Sequence, residues 1–158
     1  MLKKTFLLLS LVFPLGAQAN TFHSFVDVLS LMKQYVSTIT CDELSNDDMR
    51  VFEVFEYNNR TEAYGVVWHG DRSCGDVDGA RSIYVTPVVV TRENQLVVAS
   101  EGESKLPYGN FKQATQTDKQ LMISVYDHKE SDPICCPTGS KEYFVDYDAF
   151  QQKFVYQD

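Results

Sequence analysis

The residues best equipped for chemistry are four cysteines, Cys41, Cys74, Cys135 and Cys136. A thiolate is a nucleophile and a soft-metal ligand, and two thiols form a redox couple or a bridge. Their spacing narrows the choice. No Cys-x-x-Cys is present, so a thioredoxin-type dithiol is not indicated. Cys135 and Cys136 are consecutive, with Cα atoms about 3.8 Å apart. A bridge between them would be strained and easily reduced. Four cysteines allow three pairings, and the sequence alone does not choose among them. Pro133 and Pro137 bracket the double cysteine and stiffen its loop. The expectation is two structural disulfides, with Cys135 and Cys136 oxidised. The alternative is a redox or soft-metal protein working through Cys135 and Cys136.

Other chemical groups are sparse. His23, His69 and His128 are far apart and fit no zinc-ligand spacing. Asp76-Val77-Asp78-Gly79 has the alternating acids of a calcium loop, but Ala80 follows where a third ligand belongs, and no closing glutamate appears. Turn chemistry is the better reading. Nucleophile elbows, phosphate loops and dinucleotide fingerprints are absent. No catalytic residue, cofactor or metal is therefore assigned, and the chain is not read as an enzyme. Tyr108, Tyr126, Tyr143 and Tyr147 are the candidate partner contacts, because tyrosine serves interface hot spots well.

These groups need a scaffold. Phe22, Phe25, Val26, Leu29, Met32, Val36 and Ile39 recur at spacings of three and four, which predicts one helix over Thr21–Thr40, capped by Thr21 or Ser24. Asp42–Asp48 is a polar, acidic loop. Strands are predicted at Arg50–Asn58, Glu62–His69, Ser82–Thr91, Gln95–Ser100, Gln120–Asp127, Glu142–Tyr147 and Gln152–Gln157. Asn58-Asn59 and Arg92-Glu93-Asn94 are hairpin turns. Pro87 points to an edge position or a bulge in its strand. The short gaps leave no room for the crossovers of a parallel sheet. The fold class expected is α+β, an N-terminal helix packed on a mainly antiparallel β-sheet.

The first residues have a second meaning. Lys3 and Lys4 precede an apolar stretch, Thr5–Leu15, too short for a permanent span, and Ala17-Gln18-Ala19 supplies small residues for cleavage. Residues 1–19 read as a signal peptide cut after Ala19, and residues 20–158 as one domain in the periplasm or outside the cell. Without a cysteine near the cut, lipid attachment is not expected. Removing residues 1–19 takes away two lysines and no acids, so the charge moves from −8 to −10. That charge argues against nucleic acid and anionic membrane surfaces as partners, and favours a basic protein.

One stretch has relatives in appearance. Asp132-Pro133, Cys135-Cys136-Pro137-Thr138 and the aromatic strand at Tyr143-Phe144-Val145 resemble small exported bacterial proteins of the LppP/LprE type. The hairpin at Ile83–Ser100 and the strand ending Ser124-Val125-Tyr126-Asp127-His128 are similar too, so the resemblance covers residues 82–147. It implies an envelope or secreted location and supplies no activity. Because such proteins carry the double cysteine alone, it also implies Cys41–Cys74 as an independent second bridge. This chain departs from the pattern in lacking a lipidation cysteine. The expected function is an exported binding protein without catalytic machinery, an inhibitor or neutraliser of a basic envelope-active enzyme or toxin. A structural envelope component is the remaining alternative.

Overall fold

The computed structural model describes residues 22–41, 43–72, 81–107, 110–117, 120–133 and 136–157. The predicted signal peptide, Cys74, Asp76–Gly79, Tyr108 and Cys135 lie outside them.

Helix α1 spans Phe25–Ile39. Ser24 caps it reciprocally: the Asp27 amide donates to Ser24 Oγ at 3.3 Å, and the Ser24 amide donates to Asp27 Oδ2 at 2.8 Å. Those bonds hold the Asp27 carboxyl below its usual range. Thr40 turns to extended backbone and closes the helix, its hydroxyl donating to the Val36 carbonyl at 3.0 Å. The buried stripe is Val28, Met32 and Val36. Phe22, Phe25 and Val26 belong to the predicted apolar face, yet all three are exposed. Phe22 precedes the helix, Val26 lies about 200° round it from Val28 at about 100° per residue, and Phe25 meets the sheet at the Tyr64 ring.

Among the described residues nine strands follow: β1 (Met49–Tyr57), β2 (Arg60–Gly70), β3 (Ser82–Val90), β4 (Leu96–Val98), β5 (Ser104–Lys105), β6 (Asn110–Thr117), β7 (Gln120–Asp127), β8 (Gly139–Asp148) and β9 (Lys153–Gln157). All pairings are antiparallel. The protein is thus α+β, and its strands divide into two sheets. One runs β1-β2-β3-β4, with β5 also on β3; the other runs β6-β7-β8-β9. The first sheet is the middle layer. Tyr64, Val66, Trp68, Tyr84 and Val88 meet the helix, while Val67, Ile83 and Val85 meet Leu121, Ile123, Val125, Tyr143 and Val145 of the second sheet. Burial on both faces explains why β2 and β3 read as continuous apolar runs without alternation.

Strand β3 is internal and keeps its register with β2 throughout, so Pro87 marks neither an edge nor a bulge. The Pro87 carbonyl accepts from the Ala99 amide at 2.9 Å, on the side of β4 and β5. Its nitrogen faces the same way, as in any antiparallel strand. There the neighbouring chain leaves the ladder in a 3-10 turn at Ser100–Gly102, between β4 and β5. The missing N–H thus falls where no strand partner stands. Gly102 fits this detour against the β8–β9 turn, since a Cβ there would stand 2.1 Å from the Gln152 carbonyl oxygen.

Strand β6, absent from the predicted elements, is an edge strand with a register shift between Phe111 and Gln113. The polar run Asn-Phe-Lys-Gln-Ala-Thr-Gln-Thr buries little and so lacks the usual strand signature.

Candidate functional site

Cys41 is disulfide-bonded, and its partner sulfur lies outside the described residues. Cys136 is exposed, with its amide donating to the Pro133 carbonyl at 3.0 Å. Asp132 organises this loop. Its Oδ2 accepts from the amides of Lys129 at 2.9 Å and Thr138 at 2.7 Å, and its Oδ1 from the Thr138 hydroxyl at 2.7 Å. Those donors, led by the Thr138 amide, hold the carboxyl down at about 2.

The three candidate contact tyrosines among the described residues, Tyr126, Tyr143 and Tyr147, differ in exposure. Tyr126 is exposed, with the Lys112 ammonium 5.5 Å from its ring. Tyr143 is only 3% exposed and packs in the intersheet core against Tyr156, so it is a core residue and not a contact residue. Its place follows from alternation: on β8 it shares a face with Val145, and that face is closed by the first sheet. Tyr147 is half-buried between Phe55 and Phe154, and burial pushes its phenol up to about 12.

Exposed rings gather elsewhere, at the end of the molecule where α1 begins. Phe22 is 74% and Tyr57 63% exposed, and Phe25 is half-exposed. Phe22 and Tyr57 rim a hollow of about 330 Å³ whose wall includes His23, Arg60, Tyr64, Val90 and Asn94. Three segments make it: the residues before the helix, the β1–β2 turn and the β3–β4 turn. Asn58 and Asn59 both have positive φ, 52° and 57°, so the first turn is the tight type favoured by strand twist. Asn94 also has positive φ, 59°, and links the three segments. Its carbonyl accepts from His23 Nε2 at 3.0 Å, and its Oδ1 accepts from Arg60 Nη2. The Tyr64 hydroxyl donates to the His23 carbonyl at 3.0 Å, and Phe25 meets the Tyr64 ring edge-on at 6.2 Å. Burial, aided by the charge of Glu53, raises the Tyr64 phenol. Arg60 Nε lies 3.6 Å from Glu62. His23, Arg60, Tyr64 and Asn94 of the wall are thus engaged with one another, and Phe22 and Tyr57 are its exposed rings.

The sequence contained a partial signal for this place. Phe22 stands before the cap, and Tyr57 stands before Asn58-Asn59. What was missing was the contact that brings Asn94 beside both. Comparison with protein-family models, with curated proteins and with solved structures finds no match.

Proposed function

We propose that this chain is an exported binding protein that captures a basic protein partner, an envelope-active enzyme or toxin, through the aromatic hollow at the start of α1. The observation that carries the reading is the pair of exposed rings, Phe22 and Tyr57, on the rim of a preformed hollow. Exposed rings on a stapled backbone give contact area at little conformational cost on binding. The predicted mature charge of −10 supports a basic partner, which it would steer from a distance. The leader-like residues 1–19 and the Cys-Cys-Pro-Thr resemblance support the envelope or the medium as the place of action.

The test is capture from a periplasmic extract by the mature protein, with a photo-crosslinker in place of Tyr57 and, separately, of Tyr126. A single basic protein joined at position 57, and lost with Phe22→Ala/Tyr57→Ala, is the expected result. Crosslinking at position 126 alone, or capture unaffected by the double substitution, would refute the site.

A further inference from the structure

A second arrangement lies on the same face of the first sheet, towards the other end of α1. Arg72 follows β2 and folds back over the sheet. Its guanidinium carbon stands 4.2 Å from the Tyr84 ring centre and 5.1 Å from that of Trp68. Those two rings stack at 4.4 Å, with 22° between their planes. Arg72 Nη2 reaches both carboxylate oxygens of Glu103, at 2.6 and 2.7 Å, and the Tyr35 hydroxyl at 3.4 Å. Glu103 also accepts from the Thr86 hydroxyl at 2.5 Å, and Thr86 in turn accepts from Trp68 Nε1 at 2.8 Å. Helix, both central strands and the end of the 3-10 turn each contribute one wall.

We propose that this cradle is a binding site for an arginine side chain of a basic polypeptide, held closed by the chain's own Arg72. A flat cation over stacked rings, with a carboxylate fixed at its edge, is the chemistry that recognises guanidinium. Two features suggest a receptor with an internal occupant. First, the receiving groups are built without Arg72: Glu103 is fixed by Thr86, and Thr86 by Trp68. The Glu103 side chain is only 7% exposed, whereas that of Arg72 is 32% exposed, so the occupant enters from solvent. Second, the occupant fits incompletely. Only Nη2 makes the carboxylate contacts, and Arg72 Nε is buried with no hydrogen-bond partner. A guanidinium arriving on another chain is not bound by the short tether from Gly70 and can present two nitrogens to the two oxygens. This site is separate from the aromatic hollow and stands or falls independently of it.

Trp68 is the only tryptophan, so its emission reports on the cradle directly. The probe is ethylguanidinium, titrated at millimolar concentration into wild type, Arg72→Ala and Arg72→Ala/Glu103→Gln. Arg72→Ala is expected to bind with saturable quenching of Trp68. Wild type should bind at least about tenfold more weakly, because its tethered occupant competes at high effective concentration. The double variant should lose the response, and ethylammonium should bind Arg72→Ala several-fold more weakly, lacking the planar fork. If Arg72→Ala does not fold unaided, ethylguanidinium should restore its melting transition, while Arg72→Lys folds without it. A folded Arg72→Ala that binds nothing, binding indifferent to Glu103→Gln, or an unfolded Arg72→Ala that the probe does not restore would each overturn the proposal.

Discussion

Two carboxyl groups show opposite responses to their surroundings. Glu103 is buried, and burial outweighs the pull of Thr86 and Arg72, so its pKa is raised. An acid with a raised folded pKa favours the folded state most when protonated. Its contribution is therefore greatest below the ordinary glutamate range and declines as pH rises through the folded value. The expected outcome is a change in Trp68 emission, in the native protein, centred above the ordinary glutamate range and absent from Glu103→Gln. A flat fluorescence profile from about pH 3 to 8, which spans the ordinary glutamate range and the region above it, would contradict the placement of Glu103. Asp132 behaves the other way. With its pKa depressed to about 2, its hold on Lys129 and Thr138 is fully present above the ordinary aspartate range and is lost only as pH falls through about 2. Asp132→Ala should therefore speed hydrogen exchange at the Thr138 amide at neutral pH, and unchanged exchange would show that the loop is held by something else.

Among elements, the helix and the two central strands carry most of the architecture. Met32 is fully buried at the middle of α1, facing the first sheet. Met32→Ala should cost about 2–5 kcal/mol by thermal or denaturant unfolding, the usual range for a large apolar side chain removed from a core. Gly102→Ala meets backbone, which cannot rotate away, so the 3-10 turn must move and take Glu103 with it. The expected result is a lower melting temperature together with altered Trp68 emission. The same elements show what the sequence could convey. Helix, hairpins and the aromatic strands β1, β2, β7 and β8 were legible because apolar period and turn residues coincide there. Strand β6 was not, because an edge strand with a bulge needs few apolar side chains. The helix face was legible from Leu29 onward, where Met32 and Val36 are buried and Leu29 and Ile39 pack against the core. Its first turn was not, because Phe22 and Phe25 have core composition yet stay exposed while Val28 is buried, a choice made by the chain packed beneath and not by the local pattern. Pro87 was misread for a related reason, since its tolerance depends on a gap in the neighbouring chain. The hollow was legible only as separate parts, because Asn94 is 37 residues from Tyr57 in the chain and nothing local joins them.

At the scale of the whole molecule, one covalent link and one net charge remain to be tested. Cys41 is tied by a disulfide at the point where α1 gives way to the sheet. Replacing it with serine should destabilise by roughly 2–5 kcal/mol, as for native bridges in small exported domains. Peptide mapping without reductant is expected to join Cys41 to Cys74, and a Cys41–Cys135 peptide would refute that pairing. The charge predicts that capture of a basic partner slows steeply as salt is raised, while the dissociation rate changes little. An association rate indifferent to salt would remove the basic partner from consideration.

The double-sided burial of β2 and β3 also has a cost before folding. Each strand is a long apolar run with few charges, the kind of segment that pairs with copies of itself when exposed. An exported chain would cross the membrane unfolded and carry both runs in the open. Gly65 and Pro87 stand opposite each other at the middle of that pairing. Glycine weakens a strand and proline removes a ladder donor, so the two act as gatekeepers within the segments that most need them. The native sheet tolerates them because Gly65 lies where a Cβ would strike Phe154 at 2.7 Å, and Pro87 where the adjacent chain steps aside. Pro87→Val should therefore leave the native fold nearly unchanged and raise the fraction lost to aggregation during refolding from denaturant.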